Sequence, residues 1–155
     1  MLSNVYIRKA VPVDIPTLVE YNLALAKETE RFQLNKEFLQ LGVKNSLKRG
    51  DCFYFVAEYD KKVIGQTMIT HEWRDWRNGI IWWLQSVYIK PDHRKQGVFK
   101  KILHYIESLA KDDSHIKALR LYVMNNNHSA KIAYRKLGMH NSNYIIYDND
   151  LLIEL

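Results

Sequence analysis

The sequence has one cysteine, Cys52, which excludes an internal disulfide and a cysteine-built zinc cluster. Glycine (six) and proline (three) are scarce among 155 residues, and no repeat, low-complexity tract or Gly/Ser/Pro-rich linker breaks the chain. One domain over residues 1–155 is therefore expected. Long hydrophobic runs are also missing. The longest unbroken one is Ile80-Ile81-Trp82-Trp83-Leu84, against about twenty residues for a membrane-spanning helix. The opening Met1-Leu2-Ser3-Asn4 lacks a charged region followed by an apolar one, so no signal peptide is expected and the cytoplasm is the expected location. The histidines (His71, His93, His104, His115, His128, His140) lack zinc-helix spacing, and no metal is expected. Cys52 reads as a small buried residue at a strand start.

What is present is a globular composition, 47% hydrophobic and 26% charged. Lys plus Arg outnumber Asp plus Glu by 23 to 17, a formal charge of +6. That excess favours an anionic partner, either nucleic acid or a phosphate-rich cofactor.

Val5–Lys9 reads as a first strand. Asp14 and Pro16 then open a helix whose face carries Ile15, Leu18, Val19, Asn22 and Ala26 and which runs out near Glu28-Thr29-Glu30. A second helix is expected from Asn35 to Arg49. Phe53–Tyr59, a turn at Asp60–Lys62 and Val63–Thr70 form a hairpin, followed by a polar loop over His71–Gly79. Ile80–Ile89 is apolar on both parities, as a central strand is. An amphipathic helix starts at Gly97, with Val98, Ile102, Tyr105, Ile106 and Leu109 on its apolar face. A strand follows over Ala118–Val123 and a helix over Ser129–Leu137, stopped by Gly138. Tyr144–Tyr147 and Leu151–Leu155 read as closing strands. The strand–helix–strand unit over residues 80–123 requires a parallel pair, whereas the three strands before it form a meander. The expected fold is a mixed, strongly twisted α/β sheet of about six or seven strands with helices on both faces.

The segment from Val87 to Lys101 passes from a buried strand through a turn into a helix start. Unpaired N–H groups, the positive end of the dipole, Gly97, and Lys90, Arg94, Lys95, Lys100 and Lys101 meet there. Such a turn suits a pyrophosphate, although a strand-to-helix turn with solvated lysines has the same composition. It is neither a P-loop nor a dinucleotide fingerprint, both of which need more glycines.

Arg94-x-x-Gly97-x-Phe99 resembles the acyl-CoA signature Arg/Gln-x-x-Gly-x-Gly/Ala of the GNAT superfamily of N-acetyltransferases. Asn127-x-x-Ala130-x-x-x-Tyr134-x-x-Leu137-Gly138-Met139 resembles that family's Asn-x-x-Ala-x-x-x-Tyr-x-x-Leu-Gly-Phe. Phe99 replaces a small residue but keeps its backbone N–H. The resemblance implies acetyl-CoA as co-substrate, no metal, and direct attack of a primary amine on the thioester. It implies pantetheine contacts along Val87, Tyr88 and Ile89, with the Val87 N–H polarising the thioester carbonyl. It implies a pyrophosphate cradle from Arg94, Lys95, Gln96, Gly97, Val98, Phe99 and Lys100. Asn127 would meet the cofactor arm, and Tyr134 would serve the leaving thiolate. Taken alone, Tyr134 is also a core aromatic and Asn127 a helix cap.

For the acceptor, expected to be a small or amino-acid-like amine, Glu28 and Glu30 at the first helix end and Trp83 and Gln85 on the long strand are candidates. Glu72 is the candidate base. Ordinary solvated or packed roles remain open for all five. No nucleic-acid or membrane partner is expected, while a homodimer is compatible with the resemblance. The rival readings are a non-catalytic acyl-CoA sensor and a basic nucleic-acid-binding module.

Overall fold

The computed structural model describes residues 1–30 and 33–151, and these form two compact units, Met1–Tyr122 and Val123–Leu155. No helix among the described residues is long and apolar enough to cross a membrane.

The first unit is built on one mixed sheet of five strands in the order β1-β2-β3-β4-β5. They are β1 (Tyr6–Lys9), β2 (Cys52–Tyr59), β3 (Lys62–Arg74), β4 (Gly79–Ile89) and β5 (Ile116–Arg120). The first three junctions are antiparallel, and β4–β5 is parallel across helix α3 (Val98–Asp112), as its crossover requires. Helices α1 (Ile15–Thr29) and α2 (Lys36–Ser46) precede β2.

Alternation along β2 sorts the layers. Tyr54 and Val56 join Leu18 and Val19 of α1 and Val43 of α2 in one buried cluster. Phe55 points the other way and meets Tyr105 of α3 edge to face at 5.5 Å. Ile102, Leu103 and Ile106 of α3 are fully buried. The polar intruder in α1, Asn22, is buried and donates to the Leu18 carbonyl (2.9 Å) and the Tyr54 hydroxyl (3.3 Å), so its burial leaves no donor stranded there. Cys52 is buried at the start of β2, as expected, with its Sγ directed to the Ser46 carbonyl.

The second unit contains α4 (His128–Lys136). Asn127 caps it, with Oδ1 accepting from the Ala130 N–H (3.1 Å). Gly138 ends it at φ +87°. The Gly138 N–H returns to the Arg135 carbonyl and the Met139 N–H to the Tyr134 carbonyl, the paired bonds of a Schellman stop.

The sheet corrects several sequence expectations. It has five strands rather than six or seven among the described residues. Tyr144–Tyr147 forms no strand, and its side chains are 57–87% exposed; β-propensity without a packed face does not make a strand. The expected final strand lies outside the described residues from 152 onward. The loop expected at His71–Gly79 is instead strand as far as Arg74, because Glu72, Trp73 and Arg74 find cross-strand partners in Ile81, Ile80 and Gly79. The second helix stops at Ser46, and β5 runs from Ile116 to Arg120 rather than to Val123.

Asp14 joins the first strand to the first helix. Arg8 grips its carboxylate with two N–H groups (2.7 and 3.0 Å), and the Val11 N–H donates at 2.8 Å. Burial pushes the Asp14 carboxyl up, but the Arg8 and Val11 hydrogen bonds outweigh it and hold the group below the usual carboxylate value. A carboxyl lowered by folding contributes stability above its unfolded pKa and loses it as pH falls through the folded one. Asp14→Ala should cost about 2 kcal/mol at pH 7, the loss of charged hydrogen bonds. In urea melts the gap from wild type should close as pH drops below about 4.

Candidate functional site

The centre of the first unit is a fault in the β3–β4 ladder. Gln66 faces Tyr88 and Met68 faces Gln85, so Thr67 stands opposite two residues, Ser86 and Val87. Ser86 adopts φ +50°. This is a bulge, and buried side chains hold it: Thr67 Oγ1 donates to the Gln85 carbonyl (3.1 Å) and Gln66 Nε2 to the Ser86 carbonyl (3.2 Å). Both residues are completely buried.

On its other side β4 leaves its neighbour. The parallel pairing runs from Ile80↔Ile116 to Trp83↔Arg120 and stops, while β4 continues to Ile89. The Lys90 N–H donates across to the Ile64 carbonyl of β3. Alternate amides of a strand point to opposite sides, so the Val87 and Ile89 amides point away from β3, toward the side where β5 no longer pairs. The bulge also alters the side-chain parity. Tyr88, not Val87, shares the face of Trp83 and Gln85, and its ring lies 4.9 Å from Tyr21 of α1. Strict alternation along the strand would place Val87 on the face of Trp83 and Gln85, but the bulge breaks it, and Tyr88 has only its backbone to offer a ligand at the β4 edge.

After β4 the chain makes one tight turn at Pro91–His93 and enters α3. Lys95 (φ +60°) and Gly97 (φ +81°) are both left-handed. Gly97 is the helix N-cap and has no side chain to cap with. The Lys101 N–H is the first to bond back, to the Gly97 carbonyl (3.1 Å). The amides of Val98 and Lys100 thus have no intrahelical acceptor. Lys95 and Lys100 are exposed beside them. Gln96 is occupied by its bond to the Asp92 carbonyl, and Lys101 by its bond to the Ser3 carbonyl. A Cβ on Gly97 would lie 2.9 Å from the Met1 Sδ. Uncapped helix amides, left-handed turn residues and the β4 edge together fit a diphosphate with an extended amide-bearing arm.

Arg94 is 41% exposed, but its guanidinium folds back onto neighbouring elements. Its Nε donates to the Ile89 carbonyl (2.8 Å) and its Nη2 to Glu28 Oε2 (2.7 Å), and its guanidinium lies 5.3 Å from the Tyr88 ring centroid. The Tyr88 hydroxyl donates to the other Glu28 oxygen (3.3 Å). Two residues assigned to different substrates by sequence, Glu28 and Arg94, are each other's partners. Glu30 is the exposed C-cap of α1.

Glu72, Trp83 and Gln85 are brought together on one face of the sheet. Glu72 accepts from the Trp83 indole N–H and, at 3.4 Å, from Arg120. Arg120 lies 5.7 Å from the Trp83 ring. Gln85 donates to Thr70 Oγ1 (2.6 Å) and accepts from the Tyr122 hydroxyl (3.4 Å). Arg120 and Tyr122 were not expected; the signal was their place at the end of the strand paired with Trp83. Asn127 and Tyr134 belong to the second unit. The Asn127 side chain is the α4 cap, also bonded by Ser129. Burial pushes the Tyr134 phenol up, so it is protonated at neutral pH and carries an O–H able to donate.

The sequence model of the Acetyltransferase (GNAT) family matches residues 19–139. The chain belongs to the GNAT acetyltransferase family. Its fold is similar to a structure described as a possible acetyltransferase from Clostridium difficile 630, at 38% identity and a TM-score of 0.89, with 96% of this chain and 98% of that one covered. A predicted acetyltransferase from Clostridium acetobutylicum, solved with acetyl-CoA, shares the fold at 20% identity and TM-score 0.75, covering 94% of this chain and 96% of that one. An aminoglycoside acetyltransferase from an uncultured soil metagenomic sample, in complex with sisomicin, does so at 14% identity and TM-score 0.75, covering 96% of each chain. No curated protein matches the sequence.

If the α3 start is the phosphate cradle of this GNAT protein, Gly97→Val should be selective. The β-branched residue cannot hold φ +81° without strain and must displace Met1. Calorimetry with coenzyme A should show affinity at least about ten-fold weaker, one power of ten per 1.4 kcal/mol, with the far-UV circular dichroism of the fold retained.

Proposed function

We propose that residues 1–155 form one acetyl-CoA-dependent N-acetyltransferase domain, acting by direct attack of a primary amine on the thioester. The observation that carries this reading is the open edge of β4, whose Val87 and Ile89 amides face away from β3 just before the uncapped start of α3. Acetyl-CoA, when bound, supplies an activated thioester carbonyl. The amides of Val98 and Lys100 would hold its diphosphate, with Lys95 and Lys100 adding charge. The β4 backbone at Val87 and Ile89 would hold the pantetheine arm, and the Val87 N–H would stabilise the oxyanion as the carbonyl is attacked. Tyr134, kept protonated by its burial, would donate to the departing sulfur. A thiol is the stronger acid, with a pKa of about 8.5 against about 10 for a phenol, so hydrogen bonding suffices and the phenol need not ionise. Asn127 would act through its cap, setting the start of the helix that carries Tyr134.

The acceptor is a small amine or amino-acid-like molecule. Relatives of the same fold include an aminoglycoside enzyme, and this chain offers Trp83, Gln85, Tyr122 and the Glu72–Arg120 pair as a polar, aromatic wall. Glu72 is a poor candidate for the base, because its carboxylate already accepts from an indole and a guanidinium. It orients Trp83 and Arg120, and the amine's proton leaves through water. The expected setting is the cytoplasm, without a metal.

Thermal melts with acetyl-CoA, against ATP as a matched polyanion, test the cofactor. At about a hundred times its dissociation constant acetyl-CoA should add roughly 2.7 kcal/mol, and ATP far less. Equal shifts would indicate a generic anion site and favour the nucleic-acid reading. Binding without acetylated product across an amine panel, followed by mass spectrometry, would favour a sensor. Tyr134→Phe should lower turnover about ten- to a hundred-fold while leaving acetyl-CoA affinity within two-fold, the effect of losing a donor used only in the transition state.

A further inference from the structure

We infer that Glu28 is a positioning residue for the cofactor turn, acting through Arg94, and not a ligand of the acceptor amine. The inference rests on the acetyl-CoA reading above. The Arg94 guanidinium ties the turn to two elements, α1 and β4. One nitrogen bonds the end of α1 at Glu28 (2.7 Å), another bonds the end of β4 at the Ile89 carbonyl (2.8 Å), and the plane lies over the Tyr88 ring. The Tyr88 hydroxyl holds the second Glu28 oxygen, so the carboxylate is gripped at both atoms.

The turn needs such support. Directly after Arg94, Lys95 takes a left-handed conformation at φ +60° without being glycine, which opposes the turn by sterics alone. Among the described residues few other bonds hold this stretch: the Arg94 N–H meets the Pro91 carbonyl (3.1 Å), Gln96 reaches back to Asp92, and the Leu2 N–H meets the Gln96 carbonyl. The Arg94 side chain spans from the turn to two rigid elements, and its anchor on α1 is Glu28. Each Glu28 oxygen thus already has a donor within the protein.

Electrostatics alone predicts the opposite sign. Glu28 neutralises Arg94 beside a proposed phosphate site, so removing its charge would favour a polyanion. Both side chains are about 40% exposed, where solvent weakens such a through-space effect. The strut is therefore expected to outweigh the charge.

The variants Glu28→Ala and Glu28→Gln separate these roles, because Gln keeps an oxygen for Arg94 and drops the charge. Calorimetry with coenzyme A should show Glu28→Ala about five-fold weaker than wild type and Glu28→Gln within two-fold, a size suited to a half-exposed charged pair. In the ligand-free protein, amide exchange over Lys95–Val98 should be several-fold faster in Glu28→Ala and near wild type in Glu28→Gln. At saturating acetyl-CoA, the KM for any amine that proves to be a substrate should be unchanged in both. Tighter coenzyme A binding in both variants would make Glu28 a competitor for Arg94 and overturn the inference. A raised KM for the amine with unaltered coenzyme A affinity and unaltered exchange would return Glu28 to the acceptor site. If wild type does not bind coenzyme A, the acetyltransferase reading fails on its own, and the exchange rates of the ligand-free variants still decide whether Glu28 supports the turn.

Discussion

Gln66 and Thr67 are fully buried polar side chains in the middle of an otherwise apolar sheet, and each donates to a carbonyl of β4 at the bulge. Without them the Gln85 and Ser86 carbonyls would lie buried beside a broken ladder, a cost of about 1–3 kcal/mol each. With them, two residues of β4 can stand opposite one of β3. The extra residue bends the strand and coincides with the region where β4 no longer pairs with β5. Two polar side chains on β3 thus support a backbone edge on the far side of β4.

The same economy holds at the end of β4. The strand gives way within a few residues to a helix whose first turn has no side-chain cap. In most helices that would be a defect to be repaired by Ser, Thr, Asp or Asn. Here Gly97 offers no side-chain cap, and α3 is stabilised instead by Val98, Ile102, Leu103 and Ile106, buried against the sheet. Packing secures the helix, so its N-terminus can remain available for an anion. Asn127 shows the opposite arrangement in the second unit, where a short and mostly exposed helix does carry a side-chain cap.

The elements whose signals are local were readable from sequence. The Pro16 start and the apolar stripe of α1, the period of α3, the glycine stop of α4 and the β4–α3–β5 crossover all follow from residues near one another. What depended on distant partners was not readable. His71–Arg74 looks like a loop by composition and is a strand because Gly79–Trp82 runs beside it. Tyr144–Tyr147 looks like a strand and is none. The bulge has no glycine or proline to announce it; Ser86 bears the positive φ, and the resulting change of parity turned Tyr88 toward α1. The cradle was legible because a turn and its helix are contiguous. The Glu28–Arg94 pair was not, since its partners lie 66 positions apart.

Cys52 has a practical bearing on how such a protein can be followed. Its thiol is buried, directed to the Ser46 carbonyl, and pushed up in pKa chiefly by that burial. Disulfide reagents react with thiolates, and this is the one sulfhydryl in the chain. A colorimetric reagent added to the folded protein therefore meets little background from the polypeptide. Any rapid colour would report free coenzyme A, so reaction progress can be read continuously without first replacing the cysteine.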